Sequence, residues 1–226
     1  MVNLEALAGY RRMSIYFVRA EGMPLEQRRG LETIDRNILV ILVQAPVEPV
    51  AQAFSTLKQM NVWVRDAYDH EITIHKESTF VFQLRGHPWS IVYKPCLGAV
   101  RLYLTEEDAR SLSESLATSA IYYTRSDTCG TLEYHLYQNG VLQEKLLFEE
   151  GVLIEFQSQL RSLEARDIQS TYTFTMKFLC EQDAYVPNLV EMEDLIVEQR
   201  ITLGIENLMP DEIERMDYLA QQQELK

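Results

Sequence analysis

Residues 37–44 have the sequence NILVILVQ, which contains the longest apolar run of the chain, the six residues from Ile38 to Val43. The run is continuous rather than alternating, and most of its residues are β-branched. A strand with one face in water alternates apolar and polar residues, whereas a strand buried on both faces does not. The segment therefore predicts a central strand of a covered sheet. It is too short for a membrane span, which needs about 20 apolar residues.

A helix is predicted directly after this strand, over residues 47–60. Pro46 and Pro49 fit the first helical turn, where a missing N–H costs little. Four apolar residues between Val47 and Leu57 follow at spacings of three, four and three. These spacings give the helix one apolar stripe, which is the pattern of a helix packed on a core.

The pattern of elements then repeats along the chain. Alternation and turn residues predict strands at 62–64, 79–85 and 89–93, a strand at 100–104, a helix at 105–117, and strands at 120–123, 131–137 and 141–148. The order strand, helix, strand, strand, strand thus occurs twice, in residues 37–99 and 100–150, as in two similar sub-units. The copies share negligible residue identity, so coincidence within one mixed domain is the more frequent explanation.

These elements predict an α+β fold with a mostly antiparallel mixed sheet flanked by helices. Residues 1–36 are predicted to be an N-terminal extension of helical character. Residues 37–226 are predicted to form a single α+β domain whose C-terminal part, 181–226, is acidic.

Two segments near the C-terminus are harder to assign. Residues 167–182 fit a strand by their Thr, Tyr and Phe content and a helix by their length, so both alternatives stay open. Residues 210–212 are predicted to open a last helix, with Ile213, Met216 and Ala220 facing inward.

The dipeptide Asn139-Gly140 is the strongest short signal for a hairpin. A three-residue loop, 138–140, would place Leu136 opposite Leu142, whereas a two-residue loop would not. Because it brings the large apolar residues together, we predict the three-residue loop. Gly140 would then adopt the left-handed conformation, with a bulge beside it.

Negative charge is concentrated at one end of the chain. The protein has 21 Lys and Arg against 34 Asp and Glu, a formal net charge of −13. Residues 181–226 hold twelve acidic and three basic residues, whereas the first 180 are nearly balanced. A solvated acidic surface repels phosphate backbones and anionic lipids and attracts basic surfaces. We therefore expect a protein partner with a basic surface, and neither nucleic acid nor membrane.

Composition indicates a globular protein of a reducing compartment. Hydrophobic residues make up 46% of the chain, enough for a sizeable core. The cysteines, Cys96, Cys129 and Cys180, are odd in number and widely spaced, which favours free thiols over a disulfide framework. The first residues lack a cationic segment followed by an apolar run, so no secretory signal is expected. The expected location is cytoplasmic.

Signatures of phosphate-binding loops, dinucleotide-binding turns and nucleophile elbows are absent from the sequence. His70 and His75 lie among carboxylates in residues 66–75, but their spacing places them on opposite faces of a strand. We therefore predict no metal and no cofactor.

The best candidate nucleophile is Cys129, in the polar loop after strand 120–123. His87 or His135 would act as its base, and Asp127 would orient the imidazole. The loop is rich in Ser, Asp, Thr and Gly, so an ordinary turn in which Cys129 is simply small enough to fit is the more frequent explanation.

Trp89 and Tyr123 are the candidates for ligand binding. Trp89 follows Pro88 at the start of a strand and could line a groove for a peptide or another ligand. Tyr122 and Tyr123 are adjacent, so they point to opposite faces and at most one lies in the main core. A core Trp and ordinary sheet Tyr residues are the alternatives.

These observations favour a non-catalytic intracellular protein–protein interaction module with an acidic surface. The alternative is a small enzyme that uses Cys129 with a His and Asp pair. No sequence feature indicates an oligomeric state.

Overall fold

The computed structural model describes residues 11–18, 23–32, 37–67, 72–74, 78–94, 104–194, 200–206 and 210–221. The helices of this part are α1 (Val47–Lys58), α2 (Glu106–Ser115) and α3 (Thr171–Glu181). Its strands are β1 (Arg11–Val18), β2 (Gly30–Leu31), β3 (Ile38–Val43), β4 (Val62–Val64), β5 (Ile72–Ile74), β6 (Ser78–Leu84), β7 (Ser90–Tyr93), β8 (Ser119–Ser126), β9 (Thr131–Gln138), β10 (Val141–Glu149), β11 (Val152–Ser158), β12 (Tyr185–Val186), β13 (Leu189–Asp194), β14 (Arg200–Glu206) and β15 (Ile213–Ala220).

The main sheet has nine strands in the order β11-β10-β9-β8-β3-β7-β6-β15-β4. All of its neighbouring strands are antiparallel. A four-stranded sheet, β13-β14-β1-β5, contains one parallel pair, and β12 pairs with β2 in parallel. The predicted α+β fold with a mostly antiparallel sheet and flanking helices is therefore confirmed.

Strand β3 lies at the centre of the nine-stranded sheet and is buried on both faces. Ile41 and Val43 belong to the cluster that includes apolar residues of α1 and α2. Val40 and Leu42 belong to the opposite cluster, with Phe178 of α3. The predicted central strand is confirmed, and its alternate residues divide the core into two layers.

The first two helices begin where the sequence indicates. α1 follows Pro46, and Gln59 ends it in the left-handed conformation. α2 has a capping box, in which the Thr105 hydroxyl accepts from the Asp108 amide and the Asp108 carboxylate accepts from the Thr105 amide. None of the helices in the described part of the chain is long and apolar enough to cross a membrane.

Three local predictions need correction or completion. Residues 11–18 form a strand, so the helical character predicted for residues 1–36 is wrong there. Residues 171–181 form a helix, capped by the Ser170 hydroxyl, which settles the open assignment. Residues 213–220 form a strand rather than the predicted last helix, because pairing with β6 and β4 outweighs their helical spacing. Only residues 210–212 make a helical turn.

The proposed duplication stays a prediction. Residues 100–103, most of the strand that would open the second copy, lie outside the described residues. The strand that follows α1, β4, is at a sheet edge, whereas the strand that follows α2, β8, lies beside β3.

The hairpin between β9 and β10 has a two-residue turn, so the predicted three-residue loop is wrong. Gln138 pairs with Val141, and Asn139 and Gly140 both have positive φ, as a type I′ turn requires. Gly140 is left-handed as predicted, but the bulge lies further along, between Leu142 and Glu144. Leu136 consequently faces Glu144 rather than Leu142. The bulge shifts the side-chain alternation by one residue and turns Glu144 into the core.

Gly140 also permits a close contact between the hairpin and α2. A Cβ atom built at Gly140 would lie 2.8 Å from the Cβ of Glu114. Gly151 has a similar positive φ, but no atom of the residues that the structure describes lies within 4 Å of the corresponding position.

We predict that Gly140→Ala lowers the free energy of unfolding by about 1–3 kcal/mol more than Gly151→Ala does. Both variants bear the cost of a left-handed alanine, about 1–2 kcal/mol, and only Gly140→Ala adds overpacking against Glu114. Urea unfolding of the two variants measures the difference. Equal losses of unfolding free energy in the two variants would show that α2 moves away from the added methyl group without an energetic cost.

Candidate functional site

Cys129 and Asp127 lie in the turn between β8 and β9, where the thiol is exposed. The Cys129 amide donates to the Ser126 hydroxyl at 3.2 Å, and the Asp127 carboxylate accepts from the Thr128 hydroxyl at 3.2 Å. The Asp127 amide donates to the Asn37 side chain. These contacts are those of a polar turn, which agrees with the alternative explanation for Cys129.

The two histidines considered as bases have other partners. His87 is buried, and its Nε2 lies 2.9 Å from the Leu25 carbonyl oxygen. His135 contacts glutamates on either side of its ring. Neither ring is hydrogen-bonded to Cys129 within the described residues, so the thiol enzyme remains a prediction that no contact supports.

The two aromatic candidates are buried. Trp89 is 2% exposed, and its indole N–H donates to the Gln182 carbonyl at the end of α3. Tyr123 is completely buried, and its hydroxyl has no hydrogen-bond partner among the described residues. Both environments fit the alternative of core aromatic residues. His70 and His75 lie outside the described residues.

Several carboxylates of the acidic C-terminal part form ion pairs within the chain. Arg29 pairs with Asp183, Arg161 and Lys177 pair with Glu181, Arg85 pairs with Glu214, and Arg215 pairs with the buried Asp217. Burial opposes ionisation of Asp217, but hydrogen bonds from Arg215, Trp63 and the Asp66 amide lower its pKa. The other acidic residues between 190 and 210 lie where side chains are not described. The described part therefore gives no support to one acidic face built from this segment.

A second buried carboxylate, Glu144, ties β10 to the layer formed by α3. It accepts hydrogen bonds from the Tyr134 hydroxyl at 2.8 Å, the Ser158 hydroxyl at 2.6 Å and the Arg161 guanidinium at 2.6 Å. Burial and the neighbouring Glu144 raise the pKa of Tyr134, so the phenol stays protonated and donates. Arg161 also lies over the ring of Phe174 in α3. Because the Arg161 guanidinium balances the charge of the Glu144 carboxylate, we interpret this cluster as structural.

A third cluster, at the start of α2, combines one imidazole with two carboxylates. His135 Nδ1 is 2.6 Å from Glu106 Oε2, and His135 Nε2 is 2.9 Å from Glu133 Oε1. The Tyr137 hydroxyl lies 3.3 Å from His135 Nδ1. His135 is buried, whereas Glu106 is exposed at the first turn of α2. Burial, helped by these glutamates, raises the pKa of Tyr137 to about 12.

Sequence reasoning missed both glutamates of this cluster. Glu133, His135 and Tyr137 alternate along β9, and this period of two places their side chains on one face. That signal was available in the sequence. The position of Glu106 beside His135 could not be predicted from the sequence, because it depends on how α2 packs on the sheet.

An open sheet edge is the other exposed feature with chemical character. β11 stands at the end of the nine-stranded sheet, and β10 is its only paired neighbour among the described residues. Val152 and Ile154 on β11 are 58% and 55% exposed, and Leu160 and Leu163 in the following loop are also exposed. Single exposed apolar residues are common, but four of them occur here within twelve positions of the chain, from Val152 to Leu163.

Comparison of the chain with known proteins identifies no relative: no family model, curated protein or solved structure matches it. The fold itself defines the class as an α+β protein with a nine-stranded antiparallel sheet. Because no relative is identified, function must be argued from the sites themselves.

We predict that Arg161→Leu destabilises the protein by about 3–5 kcal/mol, because it leaves the Glu144 carboxylate buried without its cation. Arg166→Leu is the matched control, since its pair with Glu164 is largely exposed, and its loss should cost less than about 1 kcal/mol. Urea unfolding measures both. Adding Glu144→Gln to Arg161→Leu should recover part of the loss; similar small losses for both single variants would contradict the assignment.

We predict that stability falls as the pH drops from about 7.5 through the ordinary histidine pKa of about 6.5 and on towards the lower folded-state pKa of His87, and that His87→Gln removes part of this fall. Burial lowers the pKa of His87 below its usual value, although the hydrogen bond to Leu25 opposes the shift. The unfolded chain therefore binds the proton first, so the contribution is complete above the unfolded pKa and is lost as pH falls towards the folded pKa. Urea unfolding of the wild type and of His87→Gln at several pH values gives, for each protein, the slope of the free energy of unfolding against pH. Identical slopes for wild type and variant would exclude His87 as the source.

Proposed function

We propose that the protein is a non-catalytic interaction module that binds an extended, basic segment of another protein along β11. The observation that carries this proposal is the open edge of β11 with its exposed aliphatic residues. A sheet edge offers unpaired backbone N–H and C=O groups, and an added strand can satisfy them.

The shape of β11 limits the length of the added strand. Pairing with β10 is regular from Glu155 to Ser158, and the irregularity just before Glu155 leaves Ile154 as an extra, exposed residue. A bulge of this kind bends an edge and disfavours unspecific pairing. The proposed partner strand lies along residues 155–158, and Ile154 contacts an apolar side chain at its end.

Charge around the edge favours a basic partner. Residues 141–167 contain six acidic and three basic residues; Glu144, Glu155 and Glu164 pair with the three basic side chains, which leaves a surplus of three exposed acids, Glu149, Glu150 and Asp167. Glu149 and Glu150 are exposed at the turn that leads into β11. The same surplus disfavours the phosphate backbone of a nucleic acid.

A second copy of the chain is a less suitable occupant. Two copies that pair through β11 would bring two segments of the same net negative charge together, and this like-charge juxtaposition opposes association. The occupant we propose is therefore a different protein with alternating aliphatic and basic residues.

A synthetic peptide of about eight residues that alternates Val and Lys is the probe. We predict that fluorescence anisotropy detects binding to the full chain at about 0.05 M salt and weaker binding at about 0.5 M salt. Ile154→Lys should weaken binding at least about tenfold, because it adds repulsion and removes an apolar contact. Amide hydrogen exchange of residues 155–158 should slow when the peptide binds.

Val141→Lys is the matched control, because Val141 is 54% exposed and the change in charge is the same. Equal weakening by both variants would indicate general charge attraction and contradict the β11 site. A dimer in sedimentation that Ile154→Lys abolishes would show that the occupant is a second copy instead.

A further inference from the structure

The cluster at the start of α2 has one imidazole between two carboxylates, and the positions of its donors are unusual. One donor atom from each of Glu106, Glu133 and His135 lies within 4.8 Å of the others. Glu133 and His135 are fixed on β9, whereas the exposed Glu106 side chain reaches over from α2. The buried imidazole distinguishes this cluster from an ordinary group of surface acids.

The contacts of His135 determine which ring atom is available to a ligand. Its Nε2–H donates to the Glu133 carboxylate, an arrangement that fixes ring orientation in metal sites. Nδ1 then faces the Glu106 carboxylate at 2.6 Å. A lone pair and a carboxylate cannot face each other at this distance without a positive charge, so either a proton or a cation lies between them.

We propose that His135 Nδ1 and the Glu106 carboxylate bind a divalent transition-metal ion of the Zn²⁺ class. Glu133 orients the imidazole through Nε2 without touching the metal. The Tyr137 hydroxyl, 3.3 Å from Nδ1, is close enough to contribute a contact. An imidazole donor favours Zn²⁺, Ni²⁺ or Cu²⁺ over Mg²⁺ and Ca²⁺, which take oxygen ligands.

The geometry needs only a small adjustment. Zn²⁺ lies about 2.0–2.2 Å from nitrogen and oxygen ligands, so two ligands at a tetrahedral angle are roughly 3.3 Å apart. Glu106 would have to withdraw by less than about 1 Å from Nδ1, and its exposed side chain is free to do so. The exposed side of the site leaves two of four tetrahedral positions to water, one more than in zinc sites with three protein ligands.

The test is titration of the chelator-treated full chain with Zn²⁺ by calorimetry, and with Co²⁺ by visible absorption. We expect one ion to bind per chain. His135→Asn should abolish this binding, and Glu106→Gln should weaken it at least about tenfold. Glu133→Gln should weaken binding about 10–100-fold, as for a group that orients a ligand.

Glu107→Gln is the control, because Glu107 adjoins Glu106 on the same helical turn, is similarly exposed and pairs with Arg110. It should leave the affinity within about twofold of wild type, as expected for a minor change in surface charge. Neither glutamate variant disturbs the cap, which consists of Thr105 and Asp108. Unchanged binding in His135→Asn would place the ion elsewhere, for example at His70 or His75, and would overturn the proposal. No Zn²⁺ binding by the wild-type chain would overturn it as well.

Discussion

Burial of β3 on both faces is the constraint on which the rest of the structure depends. Side chains of one strand that point in opposite directions need two apolar layers, and no single helix can supply both. α1 and α2 cover one face, and α3 lies on the other. β11 stands at the end of this sheet, and β10 is its only paired strand in the part of the chain that the structure describes.

The sequence permits prediction of elements whose signals are local. The continuous run 38–43 and the turn at Asn139-Gly140 each depend on residues a few positions apart. The strand β15 was not predictable in this way, because its helical spacing is overridden by pairing with strands distant in sequence. The hairpin register failed for the same reason: burial of Glu144 depends on Arg161, which lies beyond the next strand.

The candidate sites show the same division between local and distant information. Cys129 was chosen from its loop, and the loop is present, but a catalytic pair needs a second element that sequence cannot position. The distribution of charge along the sequence identifies the acidic C-terminal residues but not the basic residues that pair with them. Those basic residues come from four other segments of the chain. A count of charges therefore gives the correct net charge of the segment, but it does not show which carboxylates are neutralised by ion pairs at the surface.

The buried acids distinguish a structural site from one able to bind a ligand. Glu144 and Asp217 are each matched by an arginine and by neutral donors, so they need no further cation. At His135 the balance differs, since two carboxylates flank a single imidazole that can carry at most one positive charge. Charges buried without compensation are costly, and here Glu106 is the member of the cluster most open to solvent. The excess of negative charge is therefore located where a cation from solution can approach it, which is the physical basis for assigning a metal to this cluster and to neither of the others.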